Sequence, residues 1–235
     1  MMGSTVMNNG KMAEPSGAVL WDLDGTLVDS EEYHWLAWKE ILDQEGISLT
    51  RAQFLSSFGQ RNDAILRAWL GEDISMEKIG RIGDTKEARY RELVSANGLS
   101  PLPGAAEWVE RLHRQGWPQA IASSAPRLNV EAVLDALHLR KWFQASTAAE
   151  DVQAGKPDPQ VFLIAASRLN AAPGICIVVE DAWAGVEGAR RAGMRSIGVG
   201  KNASSLGADL ATVRLSDLPA DSFSSLLATA TRRLG

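Results

Sequence analysis

From Pro101 onward the sequence alternates between short apolar runs and amphipathic stretches, and this alternation limits the possible folds more than any other feature. The patterning predicts a helix over Ala105–Gln115, a strand over Gln119–Ala122, a helix over Leu128–Leu137 and a weak strand near Ala145–Ala148. It then predicts a helix over Pro159–Leu169, a strong strand over Ile175–Val179, a helix over Ala184–Ala192 and a strand over Ser196–Val199. Strands and helices in that order pack as a parallel sheet with helices on both faces. Upstream, the apolar run Ala18-Val-Leu-Trp21 stops abruptly at Asp22-Leu-Asp-Gly-Thr26 and reads as one more buried strand. Between these two regions, from Glu31 to about Gly98, Val, Ile and Thr are sparse. There the period is helical, over Glu31–Glu45, Thr50–Ser57, Asn62–Leu70 and Ile74–Asn97. An all-helical block is therefore expected as an insertion just after the first strand of an α/β core.

The chain is long enough, at 235 residues, for one large domain or a core with a smaller insertion. A net charge of −5 argues against a nucleic-acid or anionic-membrane partner, because either would need a basic face. A small phosphorylated substrate, which a few local cations can hold, is compatible with it. No apolar stretch approaches the length that spans a bilayer. The first 16 residues are polar, lack the apolar centre of a secretory signal and carry Met1, Met2, Met7 and Met12. They are expected to form a disordered tail with no catalytic part, ahead of a cytoplasmic enzyme. The single cysteine, Cys176, lies in an apolar run and reads as a core residue, so no disulfide framework is expected.

In open parallel sheets ligands bind beyond the carboxyl ends of the strands, and four strand ends carry polar residues. Asp22 and Asp24, two apart on an extended segment, face the same way. A divalent cation would relieve their repulsion, Gly25 permits the tight turn, and Thr26 offers a donor. A solvated acidic turn is the plainer alternative. Ser123 and Ser124 end the small-residue strand, where they suit a phosphate oxygen or a simple helix cap. In Gly155-Lys-Pro-Asp-Pro159 two prolines hold Lys156 in a fixed loop, as an anion partner or an ordinary exposed turn. Glu180 and Asp181 directly follow the most apolar strand, a placement that is costly without a compensating cation. With Asp22 and Asp24 they make an oxygen-rich site of the kind that suits Mg²⁺.

The order and spacing of these four segments resemble those of the haloacid dehalogenase-like superfamily of phosphatases and phosphomutases, over nearly the whole chain from about Gly17. The resemblance implies a Rossmann-like doubly wound core over residues 17–30 and 99–235, with a helical cap domain over residues 31–98. It implies Asp22 as the nucleophile that forms an aspartyl-phosphate, with Asp24 as general acid and then base. It further implies Ser123 and Lys156 as the holders of the transferring phosphate. Mg²⁺ would be bound by Asp22, the Asp24 carbonyl and Asp181, with Glu180 as a ligand or just behind one. Cap-containing relatives are often monomers, and a monomer is expected. The dehalogenases themselves lack the second aspartate, so Asp24 argues against that reaction.

The stretch Glu31-Glu-Tyr-His-Trp-Leu-Ala-Trp-Lys39 is similar to the same region of β-phosphoglucomutases, with His34, Trp38 and Lys39 matching. Arg61 in Gly59-Gln-Arg-Asn-Asp63 and Lys86 also match residues of those mutases. The resemblance implies substrate-side roles for His34, Arg61 and Lys86, although helical cations are commonly surface charges and His34 would also suit a packed hinge. Where the mutases carry a serine-lysine-asparagine run, this chain has Ala125-Pro-Arg127. Polar contacts to a bisphosphate are lost there unless Arg127 replaces them. A sugar-phosphate phosphatase is therefore expected, with β-phosphoglucomutase as the alternative. A receiver-like or inactive phosphate-binding protein fits less well, because the inserted helices and every catalytic position are present.

Overall fold

A computed structural model describes residues 17–231; the tail expected over residues 1–16 lies outside them. The elements run β1 (Ala18–Trp21), α1 (Glu31–Gln44), α2 (Arg51–Ser57), α3 (Asn62–Leu70), α4 (Met76–Asn97), α5 (Ala105–Arg114), β2 (Gln119–Ala122) and α6 (Arg127–Ala136). They continue as β3 (Ala145–Thr147), α7 (Gln160–Arg168), β4 (Cys176–Glu180), α8 (Trp183–Arg191), β5 (Arg195–Val199), β6 (Leu210–Thr212) and α9 (Ser222–Thr231). All six strands are parallel, in the order β3-β2-β1-β4-β5-β6. The expected α/β doubly wound fold is the observed one. β6 and α9 were not anticipated, since a three-residue edge strand is too short to register as a period.

The central strands are buried on both faces, and their side chains alternate between two cores. Val19 and Trp21 of β1 and Ile177 and Val179 of β4 join Trp108, Val109, Val133 and Phe223 on one face. Ala18, Leu20, Cys176 and Val178 join Val161, Phe162, Ala165 and Ala189 on the other. That period of two, with both faces covered by helices, is why these strands read as unbroken apolar runs. Small residues at Ala120 and Ala122 of β2 leave room for α7 to approach the sheet.

Helices α1 to α4 close a third core of their own, built from Trp38, Ile41, Leu42, Phe54, Leu66 and Ile82. In α1 the buried residues His34, Ala37, Trp38, Ile41 and Leu42 follow the spacing of one helical face. Among the described residues, no helix is long and apolar enough to cross a membrane.

The strand order places the site. The chain leaves β1 for β2 and β3 on one side, then crosses to β4 on the other, so a crevice opens between the ends of β1 and β4. Trp21 lies opposite Val179 in the register, and the Asp22 amide donates to the Val179 carbonyl at 3.0 Å. The acids that follow each strand are thereby brought together.

Candidate active site

Asp22, Glu180 and Asp181 place carboxylate oxygens within 4.8 Å of one another at the ends of β1 and β4. Lys156, carried on the loop before α7, is the cation that reaches them. Its Nζ donates to Asp22 Oδ1 at 2.5 Å and to Glu180 Oε1 at 2.6 Å. Glu180 also accepts the backbone N–H of Ala182 at 3.0 Å, which aims its carboxylate inward at the start of α8. Gly185 is required beside it, because a Cβ there would fall 1.8 Å from Glu180 Oε1.

One lysine against three carboxylates, two buried and that of Asp181 half-buried, leaves the cluster with excess negative charge. Burial raises Asp22 well above the usual carboxylate range, and the charges of Glu180 and Asp181 add to this against the pull of Lys156. Burial, and then the charge of Glu180, pushes Asp181 up to about 7. Burial would lower Lys156, but Asp22 and Glu180 outweigh it and hold the ammonium protonated above its ordinary range. An all-oxygen donor set with uncompensated charge is what a hard divalent cation needs. The turn supports the same fit. Gly25 has φ +87°, and a Cβ there would lie 2.1 Å from Asp181 Oδ2, so the backbone of the first motif packs directly against the Asp181 carboxylate. Thr26 Oγ1 reaches Asp181 Oδ1 at 3.4 Å.

Asp24 has different surroundings. It takes the hydroxyl of Ser30 at 2.5 Å and faces Nε2 of His34 at 3.4 Å. Burial pushes its carboxyl upward, but the hydrogen bond and charge of His34, followed by the Ser30 bond, hold it below the ordinary value. Ser30 stands at the N-terminus of α1 and does not cap it, since its hydroxyl is directed to Asp24 instead. Ser30 was not among the residues expected at the site, and its place six residues after Asp24 is the sequence signal for it.

These groups floor a cavity of about 300 Å³ between the strand ends and helices α1 to α4. Ser123 and Ser124 line it from the end of β2, and His34 and Lys86 from the helices. Ser123 Oγ accepts the Ala125 amide at 3.0 Å. Phe58, Gln60 and Asn62 line the far wall, and Trp183, 58% exposed, stands at the rim. Arg61 and Arg127 are not brought to this lining. The guanidinium of Arg61 donates to the carbonyls of Ala149 and Val152, both at 3.0 Å, and packs over Gly155. That of Arg127 pairs with Asp151 at 2.6 Å. The cations on the lining are Lys86 and Lys156.

The chain is similar to known proteins over most of its length. Residues 17–193 match the family model of haloacid dehalogenase-like hydrolases. The chain is 34% identical to the β-phosphoglucomutase of Bacillus subtilis over 209 residues, covering 86% of this chain and 91% of that protein. It is 31% identical to the fructose-1-phosphate phosphatase of Escherichia coli, covering 80% of this chain and 98% of that one. A crystal structure of β-phosphoglucomutase from Clostridium difficile superposes with a TM-score of 0.84 at 26% identity, over 92% of this chain and 99% of that one.

Proposed function

The chain belongs to the haloacid dehalogenase-like hydrolase family, and from that premise we propose that it is a Mg²⁺-dependent phosphatase of small sugar phosphates. The observation that carries this is the Asp22–Lys156–Glu180 contact beside Asp181. It presents one carboxylate oxygen to the cavity, next to a fixed cation, where a phosphoryl group can be held and attacked.

In this reading Asp22 attacks phosphorus and forms an aspartyl-phosphate while the ester oxygen departs with a proton from Asp24. Asp24 then takes a proton from water, which attacks the same phosphorus, releases phosphate and restores Asp22. Lys156 and the Ser123 hydroxyl hold the phosphoryl oxygens. Asp22, the Asp24 carbonyl and Asp181 would hold Mg²⁺, which would supply charge neutralisation for an anionic nucleophile meeting an anionic ester. Glu180 supports that set from behind, through Lys156 and the Ala182 amide. Thr26 steadies Asp181 from the opposite loop. Helices α1 to α4, residues 31–98, serve as the cap, and His34, Lys86 and Ser124 border the substrate. A monomer in the cytoplasm suits a chain whose single cysteine is buried and unpaired.

The similarity to a β-phosphoglucomutase supports a second reading, in which a sugar hydroxyl replaces water as the acceptor. The positions of Arg61 and Arg127 favour the phosphatase. A mutase must hold a second phosphate, and both guanidinium groups that could do so are bonded elsewhere. The test supplies β-glucose 1-phosphate with a trace of glucose 1,6-bisphosphate, with and without Mg²⁺, and follows both free phosphate and glucose 6-phosphate. Free phosphate as the main product, lost in EDTA and restored by Mg²⁺, is the expected result. Glucose 6-phosphate formed over many turnovers per phosphate released would establish the mutase instead.

A further inference from the structure

A buried polar chain runs from Asp24 through the inserted helices and back into the core. Lys86 and Glu87 are successive residues in the middle of α4, only 2% and 5% exposed. They lie among its buried residues Ile82, Tyr90 and Val94. Adjacent charges at that depth are tolerated only when each is bonded and paired. Lys86 Nζ lies 2.8 Å from His34 Nδ1 and donates to Glu87 Oε1 at 2.9 Å. An ammonium can only donate, so Nδ1 is the accepting nitrogen of His34 and a ring proton is carried on Nε2. That Nε2 faces Asp24, and the ring is stacked on Tyr90 with centroids 3.9 Å apart.

Glu87 carries the chain onward. Its Oε1 also accepts from Asn62 Nδ2 at 2.8 Å, and its Oε2 accepts from Asn129 Nδ2 at 2.5 Å. Asn129, 1% exposed, belongs to α6 of the core, and its Oδ1 accepts from Arg91 of α4 at 2.9 Å. The ends dictate how this amide is turned, since Arg91 only donates and an ionised Glu87 only accepts. Although Glu87 borders the cavity, both of its oxygens are engaged by internal donors.

We propose that Glu87 and Asn129 form a buried bridge between the inserted helices and the core, and that Glu87 acts through it as a positioning residue for the acid–base group. The bridge holds Lys86 against His34, and so His34 against Asp24, only while α4 is seated on α6. Neither bridge residue touches the reacting atoms. The inference rests on the reading of Asp24 given above.

Donor and acceptor polarity supplies the test. Glu87→Gln sets an amide N–H₂ against the N–H₂ of Asn129, and Asn129→Asp sets a buried carboxylate against Glu87. Each single variant mismatches one junction. The double variant Glu87→Gln/Asn129→Asp restores a donor and an acceptor at every junction with the same net charge. For a sugar phosphate under Mg²⁺, each single is expected to lose about tenfold or more in kcat with KM changed by less than about threefold, and the double to return to within about threefold of wild type. Circular dichroism reports whether each variant is folded. Should a single variant not fold, Asn129→Ala removes the bridge without adding a donor or a charge, and it is expected to show the same loss confined to kcat. Folded variants whose kcat stays within about twofold of wild type would overturn the proposal, as would a double no better than the worse single. Absence of Mg²⁺-dependent turnover in the wild type would instead defeat the reading of the site itself.

Discussion

The two walls of the cavity are built on opposite plans. The sheet wall concentrates charge: Asp22, Lys156, Glu180 and Asp181 meet at the ends of β1 and β4, fixed by short bonds and by glycines that leave no space for a Cβ. The helical wall presents aromatic rings and amides, from Phe58, Gln60 and Asn62. Its one cation, Lys86, is engaged structurally with Glu87 and His34, and Arg61 lies off the lining, bonded to core carbonyls. The contrast separates two jobs. On the proposed function, the groups that would meet a phosphoryl transition state are held by the sheet core, and those that would select the rest of the substrate sit on helices with a core of their own.

The strongest way to break this division is at Asp22. Asp22→Asn keeps shape and removes the proposed nucleophile, so kcat should fall by at least about 1,000-fold, roughly 4 kcal/mol of barrier, with the fold retained by circular dichroism. A loss smaller than about tenfold would assign the chemistry to another group.

A second test probes the excess negative charge of the sheet wall. Asp181 is raised to about 7 in the metal-free protein. A carboxyl with a raised folded pKa binds its proton more tightly in the native state, so its contribution to stability is complete at low pH and is lost as pH rises through about 7. The melting temperature of the metal-free protein should therefore fall over that interval, and Mg²⁺ should raise it more at pH 8 than at pH 5. In Asp181→Ala both effects should shrink. An equal response to Mg²⁺ at the two pH values would count against a metal held by these acids.

The smallest expected effect lies behind the helical wall, at Arg61. Arg61→Ala removes two charge-assisted bonds to the Ala149 and Val152 carbonyls, each worth about 1.5–3 kcal/mol in the general case. If those bonds only seat the helices, kcat/KM for a sugar monophosphate and for the matching bisphosphate should fall by the same factor. A loss confined to the bisphosphate would show that Arg61 turns inward to grip a distal phosphate.

The parallel sheet, the helical insertion and the strand-end acids could all be read before any coordinates. Each is a local pattern: a period in hydrophobicity, or an acid pair after an apolar run. The approach of Asp22 to Asp181, 159 positions later, was expected from the strand-end rule and the family pattern, and was fixed only by the strand order, which no local rule sets. The buried charges of α4 left a signal that went unused for Glu87, because it lies next to Lys86 among the buried residues of its helix.

Partner choice was beyond local pattern. An arginine at a cap position looks the same in sequence whether it grips a phosphate or a backbone carbonyl. For Arg61 the outcome depends on how close the Ala149–Val152 loop lies and on Gly155 lacking a Cβ beneath its side chain. Arg127 is likewise drawn away by Asp151, which Arg168 and the Ala148 amide also hold as an ionised carboxylate. Periodicity along a chain dictates which elements form, whereas the partner a charged side chain takes depends on which distant groups the packed elements bring within about 3 Å of it.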